Sequence, residues 1–380
     1  MKKQFLCVAC AIIMLGILCS IVYYRGRAQE GSIPPIPQPP VAQKPVSSSE
    51  ALSPIGIGGG HDEDELVYDE SLAFRANCEI LKAFCDVYGN DPRLEGLLKG
   101  FVDVLLKNAS GRFSDIKEQL IAHEGTAAYR NLMLACLMAS DGPPGEIADL
   151  VWEVATRREE DVLVRRTASY LTNHVDNGKK RSESLLSLLL DSDNDVVVSA
   201  LVGASRHIDD RCFEIIRTEL LTREDVHVRL AAINAIGSSQ HPSKQSVLHD
   251  VVFAASTSKE TAFSEESLTK RAAIQKIDMR ESDVFQFVRS LALNENEDAG
   301  VRAKAIARFD PKVYPDEQIM LRQLLKTTPS DDVVVLRSVV DTLLKLPSPD
   351  NLDAVNSMIA SIQDEQVKTL FLYRVGLATK

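Results

Sequence analysis

The sequence predicts an all-α protein: an α-solenoid of stacked helical hairpins behind an N-terminal transmembrane helix. Three observations lead there. Twenty uncharged residues lie near the N-terminus, apolar positions recur at helical spacing from about residue 69 onward, and a spacing Asp-x-x-Val-Arg-x-x-Ala repeats along the chain. It occurs at Asp161, Val164, Arg165 and Ala168, at Asp225, Val228, Arg229 and Ala232, and at Asp298, Val301, Arg302 and Ala305.

The uncharged run spans Phe5 to Tyr24 and follows Lys2 and Lys3. A helix of that length rises about 30 Å, the thickness of a hydrocarbon core. A cleaved signal peptide is the rival reading, but it would carry a shorter apolar stretch and a small-x-small site, where this chain has Tyr23, Tyr24, Arg25 and Arg27. A lipoprotein signal at Gly16–Cys19 fits less well, because Leu18 stands where a small residue is preferred. Residues 1–27 therefore read as a membrane anchor, with the lipid bilayer as a partner through residues 5–24. Positive charge flanks both ends of the run. Its slight excess at the short N-terminus places that end inside and the repeat domain on the exported side of a single-pass protein.

Residues 28–65 read as a flexible tether. Pro34 to Pro40 is rich in proline, which cannot continue a helical hydrogen-bond ladder, and Ser47 to Ser49 and Gly58 to Gly60 offer little apolar surface to bury. His61 to Glu65 is an acidic run without preorganised ligands, so a solvated segment is expected rather than a metal site.

Residues 66–380 read as the helical array. Leu72, Leu81, Phe84 and Tyr88 share a helical spacing that Gly89 and Asn90 end, and Asp91 with Pro92 opens a second helix through Leu94 to Leu106. Aligning the start of each second helix gives Thr126, Asp161, Asp195, Asp225, Ser267, Asp298 and Asp332, at intervals of 30 to 42 residues. Each interval accommodates two short helices and their turns. An Asp at the start accepts a hydrogen bond from an unpaired first-turn N–H and favours the positive end of the helix dipole. Val three residues on enters the apolar face, Ala seven residues on permits close helix packing, and Arg lays its stem over a neighbour while its guanidinium reaches an acidic cap. Partner helices are visible at Leu185–Leu190, Glu214–Leu221, Val247–Phe253, Val284–Leu293 and Ile319–Lys326. The last apolar helix, with Val367, Leu370, Phe371, Leu372 and Val375, is expected to close the stack.

With these residues in view, the units from about 113 to 345 resemble HEAT repeats, although Ser199 and Leu336 replace the Arg in two units. The resemblance implies a scaffold or adaptor whose concave surface, built by the second helices, holds a protein partner.

Composition narrows the chemistry. The chain carries 54 carboxylates against 43 Lys and Arg, a net charge of −11, and four of those cations flank the first apolar run. The remainder is more acidic still, so no nucleic-acid partner is expected. Cys7, Cys10 and Cys19 lie in the apolar run. Cys78 and Cys85, seven residues apart on one helix, stand about 10 Å apart and cannot bridge each other. Buried free thiols are expected for Cys78, Cys85, Cys136 and Cys212, with a bridge from Cys78 or Cys85 to Cys136 as the alternative. Trp152 reads as core and Asn108-Ala109-Ser110 as a formal glycosylation acceptor. No phosphate-loop, dinucleotide, metalloprotease or nucleophile-elbow pattern occurs, so no catalytic residue, cofactor or metal is assigned. The histidines are scattered, although folding could bring His207 and Asp210 near His241. The expected function is a membrane-tethered, protein-binding scaffold or adaptor. An enzyme with a pocket assembled between repeats, or a purely structural envelope protein, are the alternatives.

Overall fold

The computed structural model describes residues 66–89, 93–175, 181–204, 208–253 and 264–378. They form an all-α helical bundle of eighteen α-helices with one 3₁₀ turn and one π-helical turn. The chain divides into two units, Met1–Ala168 and Ser169–Lys380.

In the first unit α1 (Phe74–Tyr88), α2 (Leu94–Asn108), α3 (Phe113–Ile121) and α5 (Pro144–Thr156) all contact α4 (Ala127–Ala139). The sequence explains why α4 is central. From Tyr129 to Leu137 it is apolar on almost every side, and all but one of these residues are buried. Its start is set by Thr126, whose hydroxyl accepts the Tyr129 N–H, and by Gly125, whose φ of +88° a side chain would resist. The Tyr129 hydroxyl donates to Gln119 Oε1 at 3.0 Å, satisfying the polar end of a fully buried ring. Asn77 fixes the entry to α1: its amide donates to Asp69 O and accepts from Asp69 N–H.

The division between the units falls within α6 (Val162–Leu171), which a 3₁₀ turn at Thr172–His174 extends. The second unit continues with α7 (Arg181–Leu189), α8 (Asn194–Ala204), α9 (Asp210–Ile215), the π turn Ile216–Leu220, α10 (Val226–Ser238) and α11 (Lys244–Phe253). Then follow α12 (Glu265–Lys276), α13 (Ser282–Leu293), α14 (Ala299–Ile306), α15 (Glu317–Thr327), α16 (Val333–Leu343), α17 (Pro349–Ser361) and α18 (Glu365–Ala378). Alternate helices touch, α8 on α10, α10 on α12, α12 on α14, α14 on α16 and α16 on α18, while α11, α13, α15 and α17 cover them from one side. Val228, Ala232, Val301 and Ala305 are fully buried in these contacts, as are Val164 and Ala168 in α6.

Two expectations need correction. A regular HEAT-like α-solenoid is not what the structure supports. The helix starts do not keep the predicted register, since α8 is capped by Asp193 rather than Asp195, and α12 by Ser264, three residues before Ser267. A π turn interrupts the helix begun by α9. The membrane anchor is the second. Residues 5–24, like the tether to residue 65, lie outside the described residues, and among those described no helix is long and apolar enough to cross a membrane. The longest, α1 and α2, have 15 residues each, a rise of about 22 Å against about 30 Å of hydrocarbon. The single-pass topology, the bilayer as a partner and the inside-to-exported orientation are therefore without structural support.

Candidate functional site

Two side-chain systems stand out among the described residues. The first is a set of ties from one helix to the start of a later one. Arg130 of α4 holds Glu160, just before α6, and both are buried, at 2% and 6% exposure. In the second unit the Asn194 amide donates to Asp225 Oδ2 at 3.0 Å, and Arg229 Nη2 donates to Glu265 Oε2 at 2.8 Å. Ser267 donates to Asp298 Oδ1 at 2.6 Å, and Arg302 Nη1 donates to Asp332 Oδ2 at 3.3 Å. The acceptors also cap helices: Asp225 takes the His227 and Val228 N–H groups, Asp298 that of Val301, and Asp332 that of Val335. Asp161 accepts the Leu163 N–H at 2.8 Å. Arg165 is buried and Asp195 lies within the first turn of α8. Every carboxylate in these ties is occupied, and their chemistry is that of helix ends.

The second system centres on Lys304 of α14. It is part-buried and feels the charges of Arg271 of α12 and of Arg308, just past the end of α14. Burial, with the charges of Arg271 and Arg308, pushes its ammonium below the usual lysine range, and no carboxylate contributes to that shift. Arg308 is fixed by donating to Gln275 O at 3.1 Å and Ile277 O at 2.7 Å, the last carbonyls of α12. Lys345 makes the same kind of bond to Ala307 O at 3.4 Å, and the Ser338 hydroxyl donates to Ala303 O at 2.6 Å. Nearby in the fold, carboxylates of the same unit already have cationic partners. Arg280 binds Asp278 and holds its pKa down at about 2, and Arg374 and Arg337 hold Asp341. In a chain of net charge −11, Lys304 thus feels two like charges, and Arg308 is positioned by backbone carbonyls.

The histidine chemistry left open by the sequence comes together in part. His207 lies outside the described residues, while His241 Nε2 stands 3.3 Å from Asp210 Oδ1 with its ring stacked 3.7 Å from that of Phe213. His241 Nδ1 accepts the Ser243 N–H at 3.2 Å, which leaves Nε2 facing the exposed Asp210 carboxylate. Cys78, Cys85, Cys136 and Cys212 are free and buried, and burial pushes Cys78, Cys85 and Cys212 up to about 12. Such thiols are poor nucleophiles. Among the described residues no three His, Cys, Asp or Glu converge in a way that could hold a metal ion.

The cationic cluster was missed because charge was read by count. Arg271 and Lys304 are 33 residues apart in sequence, and only the packing of α12 on α14 makes them neighbours.

Comparison of the chain with family models, with curated proteins and with solved structures finds no match. The HEAT-repeat resemblance is corrected accordingly. An Asp cap followed by Val and Ala on the buried face is what any short helix packed between others needs, and it does not mark one family. The membrane-tethered scaffold or adaptor loses its support with the anchor and the family, and neither a protein partner nor a catalytic pocket is brought to the chain by any relative.

Proposed function

We propose that the second unit binds a multiply charged oxyanion, bearing carboxylate or phosphate groups, at Lys304 and Arg308. The observation that supports this most is Lys304, a part-buried ammonium that has no ion pair among the described residues. Drawing an ammonium partly out of water without a carboxylate beside it is unfavourable unless an anion completes the site. Arg308 and Lys345 are held by helix-end carbonyls, so the cationic face is preorganised and an arriving anion need not order it. Arginine offers a planar fork to an oxyanion and lysine a point charge, a pairing suited to a ligand with several oxygens.

Isothermal titration calorimetry of the full chain with inorganic phosphate and with citrate at low salt tests this reading, the two probes separating phosphate from carboxylate preference. Saturable binding by at least one of them is expected. Lys304→Met should weaken it at least tenfold, and raising the salt should weaken it in the unsubstituted protein. Binding that is absent for both anions, or unchanged in Lys304→Met, would overturn the proposal.

A further inference from the structure

We infer that Lys304 is a nucleophilic amine that condenses with an aldehyde carrying a carboxylate or phosphate group, the anionic end being held by Arg308. The inference rests on the anion site proposed above and names the class of ligand that occupies it.

The surroundings of other lysines show what sets Lys304 apart. Lys82, Lys117, Lys270 and Lys368 each pair with a carboxylate, and Lys244 and Lys345 donate to backbone carbonyls at 2.9 Å and 3.4 Å. Lys312 and Lys326 are exposed and keep their water. Lys304 has neither arrangement. It is part-buried on α14, and among the described residues its ammonium meets no carboxylate and no carbonyl. Burial penalises the charged form, and the guanidinium charges of Arg271 and Arg308 add to that penalty, so the neutral amine is favoured relative to an ordinary lysine. The neutral amine is the form that attacks a carbonyl, and a lysine partly withdrawn from water beside other cations is activated for it.

Arg308 supplies the other end of the site. It stands four residues after Lys304, a separation that brings two side chains to one helical face with Cβ atoms about 5–6 Å apart. The helical turn continues past α14: Ala307 keeps an α-helical backbone, and the Arg308 N–H donates to Ala305 O at 3.1 Å. The bonds from Nη1 to Gln275 O and from Nη2 to Ile277 O use two of the five guanidinium donors and fix the plane of the group. A carboxylate or phosphate bound to the remaining donors would hold its carbonyl within reach of Lys304. Burial is the larger cause of the altered lysine, so the amine stays activated when the anion neutralises Arg308.

The condensation needs no further reagent. The Nζ lone pair adds to the carbonyl carbon, the carbon–oxygen bond breaks, and the oxygen leaves as water with the two hydrogens of the amine. A carbon–nitrogen double bond remains, and nothing is oxidised or reduced.

Pyridoxal phosphate, an aldehyde bearing a phosphate, is the probe. The full chain is treated with a limiting amount near neutral pH and low salt, the imine is reduced with borohydride, and labelled peptides are quantified by mass spectrometry. Lys304 should carry at least tenfold more label than Lys312 or Lys326. With pyridoxal, which lacks the phosphate, that ratio should fall at least tenfold. Lys304→Arg keeps the positive charge, so it should lose this label while still binding phosphate or citrate in calorimetry. Label spread evenly over the lysines, or the same preference for Lys304 with and without the phosphate, would refute the inference. Calorimetric anion binding without selective labelling removes the amine chemistry alone, whereas the loss of both removes the anion site with it.

Discussion

Glu160 receives the Arg130 guanidinium through both oxygens, Nε donating to Oε1 at 2.7 Å and Nη2 to Oε2. Arg130 Nη2 also donates to Leu120 O, tying the end of α3 to the pair, while its Nη1 has no hydrogen-bond partner among the described residues. Burying both charges is costly, and breaking the pair leaves one of them uncompensated. Glu160→Gln and Arg130→Met should each destabilise the protein by about 3–5 kcal/mol. The double replacement Arg130→Met with Glu160→Gln should lose less than the two single losses combined. Urea unfolding of the four proteins measures that difference, and additive losses would show that the two residues act separately.

Asp225 supplies the pH dependence. Burial alone would raise its pKa, but the Val228 and His227 N–H groups and the Asn194 amide outweigh burial and hold it below the usual carboxylate range. A carboxylate with a depressed folded pKa contributes stability that is fully present above its unfolded value, about 3.9, and is lost as pH falls through the folded value. Asp225→Ala should cost about 1 kcal/mol at pH 7, and Asp225→Asn should cost less because its side-chain oxygen still caps α10. The gap between wild type and Asp225→Asn should close on acidification below about pH 4. Melting curves at pH 7 and pH 3 provide the check.

Gly125 combines two obstacles to a side chain. Its φ is +88°, and a Cβ would lie 2.6 Å from Cδ1 of the buried Tyr129 ring. Gly125→Ala should destabilise the protein by more than the roughly 1 kcal/mol that backbone conformation alone costs, whereas Gly96→Ala, in α2 with open space around it, should be neutral or stabilising. Comparing the two denaturation midpoints separates local strain from a general effect of adding a methyl group.

Thiol labelling tests the burial of the first unit's core. Cys136 is pushed well above the usual thiol range by burial and by the neighbouring Cys78, and Cys78 and Cys85 follow for the same first reason. None of the three, nor Cys212, should react with iodoacetamide at pH 8 in the native protein, and all four should react in guanidinium chloride. Mass spectrometry of the labelled peptides reads this residue by residue. Fast native labelling at Cys136 would contradict the placement of α4 at the centre of its unit.

What could be read in advance follows from the range of each interaction. Helices, their starts at Thr126, Asp225, Asp298 and Asp332, and the burial of Val228 or Ala305 depend on residues within two turns of one another, so periodicity and capping chemistry expose them. At Asp195 and Ser267 the same rule mislocated the helix starts. Asp193 and Ser264 lie a few residues earlier, and the choice between nearby oxygens is made by packing rather than by the local sequence. Regularity over the whole chain was inferred from the three best copies of one spacing, and the π turn at Ile216–Leu220 has no such signature. Neither the Lys304 cluster nor the Arg130–Glu160 pair follows from net charge, because each joins residues thirty or more positions apart.

Asp332 does two things with one carboxylate: Oδ1 begins α16 by accepting the Val335 N–H, and Oδ2 is gripped by Arg302 of α14. Asp298 likewise begins α14 while taking the hydroxyl of Ser267 from α12. Both α14 and α16 thus find their first hydrogen bond on a carboxylate held by the helix two before them. In this stretch information about where to start passes along the chain by touch, like teeth of a zip closing in sequence, and an error at one tooth shifts the alignment of the next.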